Sequence, residues 1–196
     1  MVLPIYLLGT SELRKQTRDV ETNSEELQFL VDDMVETMHA CDGIGLAAPQ
    51  IGRTERLFVV DVTPLKDEQF AEGFTIPDQP IVFINAKIID EANNGIEIEE
   101  GCLSIPDVHE EVVRADAVKI RYLDREMNEH ETEFEGILAR VIQHECDHVD
   151  GILFIDHISP FRRRLLKRKL REIIEGQIDV DYPTYAKGKG ILSPET

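Results

Sequence analysis

The chain is short of aromatic residues, of cysteine and of basic side chains. Phe, Trp and Tyr make up 6% of its 196 residues, so the core is expected to be aliphatic. Three cysteines, Cys41, Cys102 and Cys146, cannot all pair and are too widely spaced for a disulfide framework, which points to a reducing cytoplasm. No apolar run approaches the roughly 20 residues needed to cross a bilayer, so no membrane partner is expected. The first residues, Met-Val-Leu-Pro-Ile-Tyr-Leu-Leu, lack a basic lead-in and do not read as a secretory signal. Basic residues number 21 against 39 acidic ones, and a net charge of −18 repels DNA and other nucleic acid from the chain as a whole. That charge is uneven. Seven basic residues lie between Arg162 and Arg171 with no acid among them, so the remainder carries −25.

What is present suits one folded domain, since 42% of residues are hydrophobic and the length supports a single core. Thr22, Asn23 and Ser24 offer caps for a helix with Glu25 and Glu26 in its first turn. Leu27, Leu30, Val31, Met34, Met38 and Cys41 then recur at helical spacing, and Gly43 ends the run. From Arg56 to Glu135 the texture is that of strands. Leu57 to Val62, Pro80 to Ile89, Gly95 to Leu103, Glu111 to Leu123 and Glu129 to Glu135 are the segments expected. Thr63 to Gln79 is polar and acidic, as in a surface loop. A second helix is expected from Phe134 or Gly136 to His148, stopped by Gly151, and a third over 160–176. Helices and strands do not alternate as βαβ units. The expected class is α+β: mostly antiparallel sheets around a central helix, with helices near each terminus. One catalytic domain over 1–178 and a polar tail over 179–196 complete the reading.

The central helix carries the chemistry. His144, Glu145, Cys146, Asp147 and His148 spell H-E-x-x-H, and residues at i and i+4 share a face, so both imidazoles reach one metal ion with Glu145 beside it. A catalytic ion of this kind takes a third protein ligand. Phe154 stands where one protease group has its third His. Glu172 and Glu175, where another has a Glu, belong to the basic helix. Cys102, at a strand end in Glu-Gly-Cys-Leu-Ser, is the better candidate, whereas Cys146 points about 200° away from His144 round the helix. Residues 43–48 match a loose dinucleotide pattern, but a helix precedes it and Pro49 follows, so it is rejected. Its glycines and Gln50 suit a groove wall that holds an extended peptide.

Gly-Ile-Gly-Leu-Ala-Ala-Pro-Gln50, Glu100-Gly-Cys-Leu-Ser104 and Gln143-His-Glu-Cys-Asp-His148 together resemble, in order and spacing, the three signature motifs of peptide deformylases. The resemblance implies removal of the formyl group from N-formylmethionine of newly made polypeptides. It implies Cys102, His144 and His148 as ligands of one divalent ion, commonly Fe2+, with Zn2+, Ni2+ or Co2+ able to substitute. It implies that metal-bound water attacks the formyl carbonyl, with Glu145 as general base and then acid, and with Gln50 and the Leu103 N–H stabilising the oxyanion. Gly45 and its neighbours Gly43 and Ile44 would pair with the substrate, Ile137 and Val141 would wall the methionine pocket, and His109 falls at a substrate-contacting position. Arg140 stands where relatives often have an aliphatic pocket residue, so it either reaches the rim, pairs with an acid or narrows the pocket. Asp42 and Arg114 correspond to positions that form an ion pair in relatives. The basic helix, 160–176, corresponds to one that docks on ribosomal RNA. The competing readings are a zinc metallopeptidase using Glu172 or Glu175, and a structural-metal module that binds ribosomes.

Overall fold

The computed structural model describes residues 1–65 and 80–194. A short strand, β1 (Ile5–Tyr6), precedes α1 (Glu25–Ala40). Ser24 caps α1: its backbone is extended and its Oγ accepts from Leu27 N at 3.2 Å, satisfying one of the N–H groups that open a helix unpaired. Next come β2 (Gly45–Ala47), β3 (Leu57–Val60) and β4 (Ile81–Glu91). Then β5 (Gly95–Cys102) and β6 (Ile105–Ala115) form a two-stranded hairpin of their own. With β7 (Ala117–Leu123) and β8 (Glu129–Glu135), strands β2, β3 and β4 make one antiparallel sheet in the order β2-β3-β4-β7-β8.

The strand-rich stretch from Glu111 to Leu123 is therefore two strands in two sheets. The chain changes sheet at Asp116, whose N–H donates to Asn94 O and whose carbonyl accepts from Gly136 N. Of the expected surface loop, Thr63–Leu65 forms a short 3-10 turn, and the 64–79 insertion otherwise lies outside the described residues.

Helix α2 (Gly136–Val149) lies on one face of the five-stranded sheet and α1 on the other. Alternation along β3 assigns the faces. Phe58 and Val60 join Ile137, Leu138, Val141 and Ile142 of α2, while Leu57 and Val59 join Leu30, Met34 and Met38 of α1. Phe58 and Phe83 stack at 4.8 Å in the first of these cores, and truncating such a ring to Ala costs about 3–5 kcal/mol. Buried on nearly every side, α2 is held still, and the residues at its C-terminal end inherit that rigidity. Gly151 follows it at φ 77°, with the Arg14 backbone 2.9 Å from where a Cβ would stand, so no side chain fits there.

A third apolar cluster, including Ile105, Val108, Val112, Phe154, Leu170 and Ile173, fastens the hairpin to the C-terminal helices. The single helix expected over 160–176 is two, α3 (Pro160–Leu165) and α4 (Lys167–Ile174), meeting at Leu166, where ψ opens to −8°. The segment expected as a polar tail, 179–196, instead carries β9 (Thr184–Ala186) and β10 (Gly190–Leu192), and β9 runs parallel to β1 in a three-stranded sheet. Its three-residue strands offer too little alternation to reveal themselves, and their pairing partner lies at the other end of the chain. Among the described residues no helix is long and apolar enough to cross a membrane.

Candidate metal centre

Two elements supply three donors. His144 and His148 project from the same face of α2, and Cys102 stands at the end of β5, where the pairing with β6 slips between Glu100 and Cys102. One ligand atom from each lies within 4.8 Å of the others, the only such group of three among the described residues. Cys102 Sγ is 3.3 Å from His148 Nε2. Cys146 points away into the apolar core between α2 and the sheet. Phe154 is also buried and lies flat against His144 at 6.2 Å. Glu172 is engaged by Arg168 at 2.9 Å, on the basic helices.

Behind the donors sits Glu100, which is buried and holds three partners. Arg114 donates to both of its oxygens at 2.6 and 3.0 Å, Arg140 Nη1 donates to Oε1 at 2.8 Å, and Oε2 lies 3.0 Å from His144 Nδ1. Burial opposes its ionisation, but the bonds from His144 and Arg114 outweigh that and hold the carboxyl well below the usual range. An ionised carboxylate only accepts, so Nδ1 of His144 carries the proton and Nε2 is left as the ligating atom. Burial likewise works against protonating the His144 ring, whereas the bonds to Cys102 and Glu100 raise its pKa, so a divalent ion held here would take the place of the Nε2 proton. His148 moves the other way. Burial and then the charge of His144 push it well below its ordinary value, which keeps it neutral and able to ligate. The network continues outward, since Arg114 Nη1 donates to Asp147 at 2.7 Å and His157 bonds the same oxygen at 2.7 Å.

Glu145 is 3% exposed, its Oε2 has no hydrogen-bond partner, and burial pushes its pKa up to about 7. Gly45 of β2 explains how the carboxyl fits, because a Cβ there would overlap Glu145 Oε1 and stand 2.9 Å from Val141 Cγ1. Gln50, fully buried, accepts from Ala47 N at 2.8 Å through Oε1, which orients its Nε2 toward Cys102 Sγ at 3.5 Å and Ser104 Oγ at 3.4 Å. Leu103 follows Cys102, and its carbonyl accepts from Tyr182 Oη at 3.0 Å.

These groups open into a cleft of about 480 Å³ walled by Gly43, Ile44, Gly45, Ile137, Val141 and His109. His109 is exposed on the rim, its ring lying over Gly101. Arg140 contributes to the wall, but its guanidinium is turned into the hairpin, where it also donates to Val112 O at 2.8 Å and Ile96 O at 2.5 Å. Of the three alternatives for this residue, pairing with an acid is the one observed. The ion pair expected between Asp42 and Arg114 is absent. Arg114 lies on the buried face of β6 against α2 and is taken by Glu100 and Asp147, while Asp42 sits in an exposed turn at φ 53°.

Sequence reasoning assigned no role to Glu100, although a nearly buried metal-ligating histidine calls for an acceptor on its second nitrogen. It also missed residues 179–182, which line the cleft.

The donor set fits a divalent ion: one thiolate-forming sulfur, two imidazoles of which one is held as the correct tautomer, and an unpartnered buried carboxyl beside them. An α+β fold with that set at the base of a cleft defines a metal-dependent hydrolase. The chain belongs to the polypeptide deformylase family, whose sequence model matches residues 2–164. It is 55% identical over 187 residues to a peptide deformylase of Salinibacter ruber, covering 95% of this chain and 96% of that one. It is 42% identical to that of Christiangramia forsetii over 93% and 94% of the two chains. A crystal structure of a Legionella pneumophila peptide deformylase superposes with a TM-score of 0.78 at 40% identity, over 90% of this chain and 98% of that one. The protein is thus an enzyme that removes the N-formyl group from nascent polypeptides. The peptidase and structural-module readings fall with that membership.

Proposed function

We propose that deformylation is carried by Glu145, Gln50 and Leu103 around a single divalent ion held by Cys102, His144 and His148. The observation that carries this reading is the unpartnered Oε2 of Glu145 beside the three donors. When bound, the ion acidifies a water and polarises the formyl oxygen. Glu145 accepts a proton from the attacking water. As the C–N bond breaks and formate leaves, it returns that proton to the amine of methionine. A buried carboxyl with a pKa of about 7 is suited to both transfers near neutrality. Gln50 Nε2 and the Leu103 N–H donate to the formyl oxygen as it gains charge, and one such donor is worth about 3 kcal/mol. Gly43, Ile44 and Gly45 receive the peptide backbone alongside β2, Ile137 and Val141 wall the methionine side chain with the stem of Arg140, and His109 borders the exit. Membership in the deformylase family favours Fe2+ as the native ion, with Zn2+, Ni2+ or Co2+ as substitutes, and a thiolate ligand leaves the iron form sensitive to oxidation.

The test is anaerobic turnover of formyl-Met-Ala-Ser by protein loaded with Fe2+, Ni2+ or Zn2+, beside Glu145→Ala. Tight binding of one ion per chain without turnover in any form sinks the reading.

We infer further that the catalytic domain takes in β9 and β10 as well as residues 1–178, that the enzyme works in the cytoplasm, and that α3 and α4 dock on ribosomal RNA. Arg162 is engaged by Glu110, Lys169 by Asp107 and Arg168 by Glu172. Arg164, Lys167 and Arg171 line one hollow beside Leu170 and Ile174 and have no ion-pair partner among the described residues. Phosphate contacts from these three predict salt-sensitive co-sedimentation with ribosomes, lost on changing them to Glu. Undiminished binding removes the idea.

A further inference from the structure

Strand β2 has β3 on one side only, because it stands at the end of the five-stranded sheet. Its other side is open to the cleft, whose wall includes Gly43, Ile44 and Gly45. One peptide unit joins the two sides. Ile44 O accepts from Asp61 N at 2.9 Å, and the peptide bond between Ile44 and Gly45 is trans. In a planar trans unit the carbonyl and the N–H point in opposite directions, so Gly45 N–H is aimed away from β3. The bond from Asp61 therefore sets the direction of a donor that faces the cleft.

Asp61 is itself held. It is buried where the chain leaves β3, its Oδ1 accepts from Thr63 N at 2.9 Å, and its Oδ2 lies 2.8 Å from His39 Nε2. Burial opposes its charge, but the bonds from Thr63 and His39 keep the carboxyl below its ordinary range. His39 stands in the last turn of α1, and its carbonyl accepts from Asp42 N at 3.2 Å. The turn from α1 into β2 thus starts on His39 and ends on the peptide unit bonded to Asp61, and the side chains of those two residues close the span between its ends. That turn needs holding, since Asp42 sits at φ 53°, a left-handed conformation unfavourable for a residue with a Cβ. Neither His39 nor Asp61 lines the cleft.

We propose that the His39–Asp61 pair positions the substrate-pairing edge of this deformylase: it holds the Ile44–Gly45 peptide unit so that Gly45 N–H meets a backbone carbonyl of the formylated chain. The inference rests on the deformylase reading and on peptide pairing beside β2, and adds two positioning residues to them. They act through β2 and touch no reacting atom, so their contribution appears in peptide binding and leaves the chemical step alone. The His39 side chain is 45% exposed, and a bond at such a place is worth only a few-fold in affinity.

The experiment uses the full-length, metal-loaded protein and measures KM and kcat per bound ion for formyl-Met-Ala-Ser. A competitor of the same reaction, N-formyl-methylthiopropylamine, keeps the formyl group and the methionine side chain but has no backbone carbonyl. His39→Ala is expected to raise KM for the peptide about threefold, with kcat and the competitor's inhibition constant within about 1.5-fold of wild type. His39→Gln, whose side-chain amide still donates to Asp61, recovers most of the peptide's KM. His130→Ala removes a comparable bond, 2.7 Å long, to Asp124 between β7 and β8, and changes neither constant. KM and the inhibition constant do not depend on how much of the protein is active, so metal loss or partial misfolding does not imitate the result. An unchanged peptide KM in His39→Ala, an equal rise in the competitor's constant, or the same rise in His130→Ala overturns the proposal, while turnover of formyl-Met-Ala-Ser keeps the deformylase reading intact. Absence of turnover by the wild-type protein with every metal overturns both.

Discussion

Arg140 Nη1 donates to Glu100 Oε1 at 2.8 Å, and the other oxygen of that carboxylate lies 3.0 Å from Nδ1 of His144, one turn further along the same helix. Helix α2 thus steadies its own ligand through a residue of the neighbouring hairpin. Arg140→Met leaves the buried carbonyls of Val112 and Ile96 without this donor and strips one cation from a buried carboxylate. The expected loss is about 3 kcal/mol of stability. If Arg140 also positions His144, the apparent metal dissociation constant rises about tenfold in chelator competition, and Arg140→Lys recovers part of it. A lowered melting temperature with unchanged metal affinity would assign Arg140 to the scaffold alone.

Glu145→Gln keeps the shape of the side chain and removes its proton exchange. Turnover of formyl-Met-Ala-Ser is expected to fall by about 10²–10⁴ in kcat, the usual contribution of a general acid–base, while the protein still binds one ion per chain. Metal content by elemental analysis separates the two effects. Retained turnover in the metal-loaded variant excludes Glu145 as the base.

Gly45→Ala tests the cleft from its other side. The added methyl would overlap Glu145 Oε1 and stand 2.9 Å from Val141 Cγ1, and neither neighbour can move far inside a buried helix. Displacing the carboxyl by a fraction of an ångström is expected to lower kcat about 10²-fold. Gly188→Ala is the comparison, since nothing lies within 4 Å of a Cβ there, and only its φ of +80° resists, at roughly 1–2 kcal/mol. Equal activities in the two variants would show that Gly45 does not hold Glu145 in place.

Much of the frame was legible because its signals are local. Ser24 caps α1, Gly151 stops α2, and Glu129–Glu135 is a strand with the expected limits. His144 and His148 share a face by helical geometry alone, and the structure brings Cys102 to them. What escaped notice depends on partners far apart in the chain. Glu100 reads as one more acid in an acidic strand until Arg114, Arg140 and His144 converge on it. Asp116 looks like the middle of a continuous strand, because nothing beside it announces that the chain leaves one sheet for another. The return through Asp181 to β9 depends on pairing with β1, some 180 residues away.

Stability toward acid follows from carboxylates held ionised by the fold. Asp156, beyond the end of α2, accepts from Arg14 and, at 2.9 Å, from Leu153 N. Burial opposes its charge, but the bonds from Arg14 and Leu153 outweigh that and set its pKa below the ordinary value. In the unfolded chain it titrates near about 3.9. The folded form therefore binds fewer protons between those two values, so the stabilisation is complete above the unfolded pKa and is lost as pH falls through the folded one. Asp61 and Asp147 are lowered in the same direction and add to the effect. Solvent reaches the Arg14 pair, so the Asp156 contribution is set at about 1 kcal/mol. Asp156→Asn is expected to lower the melting temperature by about 2–4 °C at pH 7 and by progressively less below about pH 4, with the gap closing as pH falls through the folded-state pKa. Calorimetry at pH 7, 4 and 2.5 reads the difference directly. A gap that persists unchanged at the lowest pH would mean that the carboxylate acts through shape and its bond to Leu153 N, with its charge contributing nothing.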